Sequence, residues 1–258
     1  MNSYLFHLQK TEYSPNFYCS DEYFEKANMS IEVETDIQYI KRRIYLLDNE
    51  NVRLLPTIEI IGNFYDYFAR IGKDYIFQSG FSNYEEGEFW DYEFIYDPKN
   101  FLDLSGGKWK KVRKNINWVK KKINEDIQFS PYIENDKLNH FLDLWFHKNR
   151  DVVFYDPEVM VNYVYHGNNR LFLIGNESGR LYGICIWDEN YKYINFRFCL
   201  VDPNIKGLSD FCRVKFYIFM AHETNKLVND GGSLGNQGLY EYKKYLNPIE
   251  INEIRSTL

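Results

Sequence analysis

A run of basic residues between positions 108 and 122 is the first feature of this sequence that could do chemistry. It holds eight Lys or Arg side chains and no acidic one. Such side chains bind phosphate, whether in a tRNA acceptor arm, a lipid headgroup or a nucleotide. The alternative is a solvated helix face that balances nearby acids such as Asp103 and Glu125. The candidate substrate-binding residues of this run are Lys108, Lys111, Arg113 and Lys114.

Polar side chains also follow one face of an expected long strand over residues 191–201. Because successive side chains on a strand point to opposite faces, Tyr193, Asn195, Arg197 and Cys199 are expected to share a face, opposite Ile194, Phe196, Phe198 and Leu200. Arg binds a carboxylate or phosphate through two parallel bonds. We therefore predict that Arg197 and Tyr193 bind substrate and that Asn195 is catalytic. A structural pairing of Arg197 with a buried acid is the alternative.

Asp230 stands before a loop with glycines at positions 231, 232, 235 and 238. Its carboxylate is a candidate catalytic group, since it could accept a proton from an incoming amine or hold an ammonium in place. The alternative is an Asx turn that caps the loop.

Patterns typical of other chemistries are missing. The histidines form no HxxxH or HExxH pattern, and the four cysteines form no CxxC pair, so no metal is predicted. There is no G-x-S-x-G motif of a serine hydrolase. Free, buried thiols in a reducing compartment are the expected state of the cysteines.

Composition indicates a folded protein with a large core. The chain has 258 residues, of which 45% are hydrophobic, and a net charge of −6. An acidic balance argues against binding nucleic acid over the whole surface but leaves room for a local basic patch. No signal peptide and no apolar run of membrane-spanning length is visible. We therefore predict a cytoplasmic protein without stable membrane insertion.

The elements that would position these residues follow from the spacing of apolar side chains. Trp109, Val112, Ile116, Val119 and Ile123 form one stripe of an amphipathic helix. Further helices are expected at 36–48, 138–145, 157–165, 209–221 and 239–246. A hairpin is expected at 170–187, then the long strand at 191–201 and a short strand at 227–229. Together these elements predict an α+β fold with a mixed sheet.

Two segments carry a resemblance to a known family. One runs from Leu104 to Asn117 and includes Gly106-Gly107-Lys108-Trp109, and the other runs from Val228 to Pro248 across the glycine loop. Together they resemble the C-terminal domain of phosphatidylglycerol lysyltransferases, which is related to the Fem-type aminoacyltransferases. The order of elements from residue 157 is similar to the core of the GNAT acyltransferase superfamily.

This resemblance implies a GNAT-like acyl-CoA N-acyltransferase fold in two tandem halves, residues 1–130 and 131–258. It implies transfer of an acyl or aminoacyl group to an amine or hydroxyl. The donor would be acyl-CoA or an aminoacyl-tRNA, and the acceptor a small molecule or a cell-envelope precursor. A non-catalytic GNAT-like module that binds an anionic ligand through residues 108–122 is the alternative.

The donor loop departs from the family pattern. Acetyl-CoA-dependent members hold the pyrophosphate on a glycine-rich loop and the helix that follows it. Here the equivalent candidate donor-binding residues are Lys206, Gly207 and Ser209, and only the first two match the pattern. Asp210 would place a carboxylate beside the bound anion. This departure favours an aminoacyl-tRNA donor, or loss of activity, over coenzyme A.

Overall fold

The computed structural model describes residues 88–257 except 124–126, 131–134, 150–156, 167–170, 177–179 and 190–191, together with Glu22 and four earlier strands. The helices are α1 (Lys110–Ile123), α2 (Asn135–Asn149), α3 (Pro157–His166), α4 (Leu208–Glu223) and α5 (Gln237–Tyr245). The strands are β1 (Ser30–Asp36), β2 (Lys41–Leu47), β3 (Asn51–Leu54), β4 (Asp74–Ser79), β5 (Glu88–Tyr96), β6 (Ile127–Ser130), β7 (Leu171–Asn176), β8 (Leu181–Glu189), β9 (Tyr193–Val201), β10 (Leu227–Asn229) and β11 (Glu250–Thr257).

One mixed sheet of eleven described strands joins both ends of the chain. Its order is β1-β2-β3-β4-β11-β5-β10-β9-β8-β7-β6. Pairing is parallel between β3 and β4 and between β9 and β10, and antiparallel elsewhere. This is the predicted α+β class with a mixed sheet. Since β5 lies between β11 and β10, the division into halves at residue 130 crosses a continuous sheet and stays a prediction.

Helices cover the two faces of the sheet. Apolar side chains of α1 and α4 pack on one face with Phe94, Ile194 and Phe196. Side chains of α2 and α3 pack on the other face with Ile184, Phe198 and Leu200. The predicted stripe of α1 is confirmed, because all of its apolar members are buried. Burial of this kind, rather than helix propensity, supplies most of a helix's stability.

A β-bulge at Arg197 changes which residues of β9 share a face. Ile186 pairs with Phe198 while its neighbour Trp187 pairs with Phe196, so Arg197 is an extra residue in β9. A bulge breaks the alternation of side chains. Phe198 and Leu200 therefore face α2 and α3, whereas Cys199 lies with Phe196 in the core under α4. The prediction that Cys199 shares a face with Asn195 and Arg197 was wrong.

The sheet splits between β9 and β10. Only residues 193–195 of β9 pair with β10, which ends at Asn229. The chain then stays with β5, because Asp230 donates its amide to the Phe94 carbonyl and Phe94 donates to the Gly231 carbonyl. The last six residues of β9 consequently run on without β10 beside them.

The helix predicted over 36–48 was wrong. Residues 30–36 and 41–47 are instead strands, paired antiparallel over their full length from Ser30 with Leu47 to Asp36 with Lys41. The apolar spacing of this segment fits a helix, but pairing with a neighbouring strand outweighs such a local preference.

Candidate functional site

A buried carboxylate, Asp188 on β8, binds several side chains beside the split, on the face of the sheet that lies towards α3. It accepts two bonds from Arg197, from Nε at 2.7 Å and from Nη2 at 3.0 Å. Asn195 Nδ2 donates at 2.8 Å and the Tyr163 hydroxyl at 2.5 Å. The structure thus has the buried acid that was the alternative for Arg197. The predicted role of Arg197 in substrate binding stays a prediction. The same holds for Tyr193, which is 2% exposed.

Two side-chain amide atoms at the point where β9 and β10 separate have no hydrogen-bond partner. They are Oδ1 of Asn195, an acceptor, and Nδ2 of Asn229, a donor. Both side chains have zero exposure. The residues pair with each other across β9 and β10, so they lie side by side on the same face. Buried polar atoms are nearly always paired in native proteins, which makes this point of the split unusual.

Asp230 lies on the opposite face, where it joins α4 and α5 to the sheet. Its Oδ2 accepts from Arg213 and, at 2.7 Å, from the Tyr217 hydroxyl. Lys243 Nζ lies 3.2 Å from Oδ1 and also donates to the Asp230 carbonyl. The glycine loop that follows Asp230 marks this residue in the sequence, but no sequence pattern indicates its cations, which lie 17 residues before it and 13 after it.

The two cations determine the protonation of Asp230. Burial by itself would raise the pKa of this carboxyl, but Arg213 and Lys243 outweigh burial and lower it. Burial lowers the pKa of the Lys243 ammonium, against the opposing effect of Asp230. An ion-paired carboxylate of low pKa is a poor proton acceptor, so this geometry favours a structural role for Asp230. Its catalytic role stays a prediction.

Asp91 on β5 holds the glycine loop in place. Its carboxylate accepts from the amide and hydroxyl of Ser233 and from the amide of Leu234, at 2.8–3.1 Å. A Cβ atom at Gly232 would lie 2.0 Å from Asp91 Oδ2, so only glycine fits there. No sequence pattern indicates this role of Asp91, because the residue lies more than 140 positions before the loop that it binds.

The N-terminus of α4, where the predicted donor loop ends, packs against α1 and is partly exposed at Gly207 and Ser209. Gly207 caps the helix with a φ of 79°. A Cβ atom added there would lie 3.1 Å from the Asn115 Cβ on α1. Asp210 in the first turn is buried and accepts from Asn115 and from the Tyr245 hydroxyl. Protein groups thus occupy the place where the resemblance put a pyrophosphate.

The other predicted donor residues lie around this helix end. The Ser209 hydroxyl is 3.1 Å from that of Tyr242. Lys206 is exposed in the preceding turn. Their donor-binding role stays a prediction.

The predicted basic residues fall into two groups. Lys108, Lys111 and Lys114 are exposed, and Lys111 Nζ lies over the Tyr245 ring at 4.2 Å. Arg113 is instead committed to the carbonyls of Leu104 and Gly106, where it holds the turn before α1. Trp118, also on α1, is 42% exposed. An exposed lysine surface with a tryptophan therefore borders the α4 N-terminus, which Asn115 links to α1.

A separate cleft of about 540 Å³ lies between α2 and the loop that follows β9. Phe141 and Trp145 line it from α2, and Asp202 and Asn204 close it from the loop. Its charged walls include Arg180, which pairs with Asp202 at 3.5 Å, and Lys148, which donates to Asn204 at 2.6 Å.

Within the described part of the chain, no group of three or more His, Cys, Asp or Glu side chains is placed to hold a metal ion. Nor does any described helix combine the length and apolar character that crossing a membrane requires. The three described cysteines, Cys185, Cys199 and Cys212, are free thiols.

Comparison with known proteins identifies the fold. A conserved protein of unknown function from Bacteroides thetaiotaomicron aligns with a TM-score of 0.69 and 15% identity, over 93% of this chain and 89% of its own. L-PGS from Bacillus licheniformis aligns at 0.64 and 14%, over 99% and 91%. FemX aligns at 0.64 and 7%, over 98% and 94%.

No protein-family profile and no curated protein sequence matches the chain. At these identities the structural matches show the fold alone. They confirm the predicted GNAT-like fold and the predicted likeness to lysyltransferase and Fem-type proteins.

Proposed function

We propose that this protein is an acyltransferase that moves an aminoacyl group from an aminoacyl-tRNA to an amine or hydroxyl acceptor. The acceptor is a small molecule or a cell-envelope precursor. The single observation that carries the choice of donor is the packing of Asn115 on α1 against the α4 N-terminus, where the buried Asp210 carboxylate lies in the first turn. The proteins of similar fold support the general kind of reaction, since they include L-PGS and FemX.

Coenzyme A is the less suitable donor because its pyrophosphate needs an open helix N-terminus with free amides. Here Asn115 packs against Gly207, and the Asp210 carboxylate already lies in the first turn of α4. A second anion at this place would meet a carboxylate of like charge. The helix that carries Asn115 also carries the exposed lysines, which suit the phosphates of an RNA acceptor arm.

We place the reaction at the split between β9 and β10, on the face of the sheet that carries Asn195. On the other face, the Arg213 guanidinium lies 4.7 Å from the Phe196 ring centre and is bonded to Asp230. Positioning and electrostatic stabilisation supply much of the catalysis in acyl transfer. An unpaired donor and an unpaired acceptor, side by side where β10 ends, suit that role.

The ion pairs on the α4 side also favour a second candidate, a GNAT-like module that binds an anionic ligand without turnover. Arg213 and Lys243 are both buried and both bonded to the buried Asp230, so the charged groups on this side are already paired within the protein. In this case the lysines of α1 bind the ligand and nothing is transferred.

The two candidates separate in a binding and transfer experiment. Bulk bacterial tRNA, charged with radiolabelled amino acids, is titrated with the protein, alongside uncharged tRNA, coenzyme A and acetyl-CoA. We expect charged tRNA to bind and coenzyme A not to bind. Replacing Lys111 and Lys114 together by Ala should weaken tRNA binding by roughly tenfold or more, since each removes a phosphate contact and its counterion release.

Lys99 and Lys192 provide a matched control. Both are exposed, and they lie near the C-terminal end of α4 and at the start of β9, away from the α4 N-terminus. Their double Ala variant should bind tRNA like the parent protein. Tight binding of acetyl-CoA would contradict the proposed donor. Binding of charged tRNA without loss of its label to any amine or hydroxyl would favour the binding module.

A further inference from the structure

Asn195 and Asn229 each have one amide atom bonded and the other unpaired. Asn195 donates through Nδ2 to Asp188, which directs its Oδ1 away from that carboxylate. Asn229 accepts through Oδ1 from the Gly231 amide at 2.9 Å, which leaves its Nδ2 unpaired. The bonded atoms fix the orientation of each amide, a choice that otherwise rests on assignment. The site therefore has a fixed acceptor beside a fixed donor.

The position of this pair is set by the sheet. Asn195 and Asn229 are partners in the last rung that joins β9 to β10. Parallel neighbours lie about 4.8 Å apart, so one small group can contact both side chains. Beyond this rung, β10 ends and β9 runs on alone. The pair thus lies where the proposed function puts the reacting ester.

We infer that Asn229 Nδ2 stabilises the oxyanion of the transfer reaction while Asn195 Oδ1 binds an N–H of the attacking group, and that this group is a primary amine. This inference rests on the proposed acyl transfer and adds to it a catalytic pair and an acceptor class. An oxyanion needs a donor and an amine needs an acceptor, and the two amides offer one unpaired donor and one unpaired acceptor side by side.

The carboxylates on either side of the split explain the choice of an amine over a hydroxyl. Asp188 is bonded by Arg197, and Asp230 by Arg213 and Lys243. The oxygens of both carboxylates already accept bonds from these cations and so are not free to contact an attacking group, whereas a hydroxyl needs a base to remove its proton as it attacks. A neutral amine attacks without one, and the uncharged amide oxygen of Asn195 is sufficient to orient it.

The step balances without a further reactant. The amine nitrogen bonds to the carbonyl carbon, and the carbonyl π electrons move to the oxygen, which Asn229 holds. When the carbonyl reforms, the bond to the ribose oxygen breaks. That oxygen takes the proton that the amine loses, so the products are an amide and an uncharged tRNA.

Asn229→Asp is the decisive variant. Aspartate keeps an oxygen to accept from the Gly231 amide but replaces the donor by a negative oxygen. Transfer from charged tRNA to glycinamide is measured in a single turnover, with glycolamide, which has a hydroxyl in place of the amine, as the matched acceptor. We expect the parent protein to use glycinamide and not glycolamide. The variant should be slower by about 10²–10³-fold, as for loss of an oxyanion donor, with charged-tRNA affinity unchanged.

Asn195→Ala should slow transfer to glycinamide as well, while Asp188 keeps its bonds from Arg197 and Tyr163. A transfer rate of Asn229→Asp within threefold of the parent would overturn the inference. In that case a buried water, which commonly satisfies such atoms, pairs the two amides. Transfer to glycolamide at the rate of glycinamide would overturn the choice of an amine.

A second measurement separates this inference from the proposed function. The side-chain NH₂ signals of Asn195 and Asn229 are assigned in ¹⁵N-asparagine-labelled protein through their loss in the two variants. If the parent protein transfers nothing from charged tRNA, the proposed function fails. Shifts of both signals with glycinamide and not with glycolamide would then still support an amine site at the pair. No shift with glycinamide would overturn it.

Discussion

Three buried carboxylates, Asp91, Asp188 and Asp230, each hold together segments that are distant in the chain. Asp91 binds the glycine loop, Asp188 binds α3 and the bulge of β9, and Asp230 binds α4 and α5. Each of the three residues is at most 3% exposed. A buried charge is tolerated only when it is paired and hydrogen-bonded, so the loss of one partner affects every segment that meets there.

Asp230→Asn is expected to destabilise the protein by about 3–5 kcal/mol, because it leaves Arg213 and Lys243 buried without their counter-charge. Urea unfolding at neutral pH measures this change. Asp202→Asn is the control, since its partner Arg180 is 60% exposed and exposed pairs contribute at most about 1 kcal/mol. Unchanged stability of Asp230→Asn with loss of transfer would instead support the catalytic role predicted for this residue.

The parent protein and Asp230→Asn should differ in how their free energies of unfolding depend on pH. The pKa of Asp230 is lowered in the folded state. The contribution of Asp230 to the free energy of unfolding is therefore present above its unfolded-state pKa of about 3.9. It is lost as the pH falls through the lower pKa of the folded state. The stability gap between the parent protein and Asp230→Asn should close in acid.

Among the elements, α1 has two distinct faces. One packs on α4 and the sheet through Val112, Ile116 and Val119, beside Trp109 in the turn before the helix, and the other exposes lysines and Trp118. Its Asn115 also reaches the first turn of α4. The helix is thus both part of the core and the proposed contact for RNA.

The two tryptophans of this region test that division. Trp109 is 2% exposed and Trp118 is 42% exposed. We expect Trp109→Ala to lower the free energy of unfolding by about 3–5 kcal/mol. Trp118→Ala should stay within about 0.5 kcal/mol of the parent protein, and urea unfolding of both variants measures the difference. A large loss of stability in Trp118→Ala would contradict its place on a free surface.

At the scale of the whole molecule, β11 connects the strands before residue 80 to the rest of the sheet. It pairs with β4 on one side and with β5 on the other. The last strand of the chain thus lies between two strands of its first hundred residues. Contacts of such sequence separation form late in folding and are costly to close.

Ser256→Pro should disturb both neighbours of β11, because proline removes a backbone donor at a point where the strand is paired on both sides. Ser256 pairs with Gln78 of β4 and with Glu88 of β5. We expect faster amide hydrogen exchange in both β4 and β5, with Ser256→Thr, which keeps the donor, as the control. Faster exchange confined to β11 would show that the two parts of the sheet are stable without each other, as the predicted division into halves requires.

The sequence by itself determined the elements with a strong local pattern. The stripe of α1, the hairpin of β7 and β8, the long strand β9 and the short strand β10 follow from periodicity and turn residues. The order of elements from residue 157 predicted the GNAT-like fold, and the segments 104–117 and 228–248 carried the resemblance to lysyltransferase and Fem-type proteins. Asn195, Arg197 and Asp230 also stood out, because polar residues in apolar segments are conspicuous without any structure.

Only the tertiary structure decided what these residues contact. The partners of Asp230 and Asp91, the Asn195–Asn229 pair and the contact of Asn115 with α4 join residues from 13 to 143 positions apart. The bulge at Arg197 arises from pairing with β8. Pairing with β1 and β3 makes residues 41–47, within the helix expected at 36–48, the strand β2. Local spacing carries information only over a few turns or rungs. Pairing across a sheet depends on the whole chain.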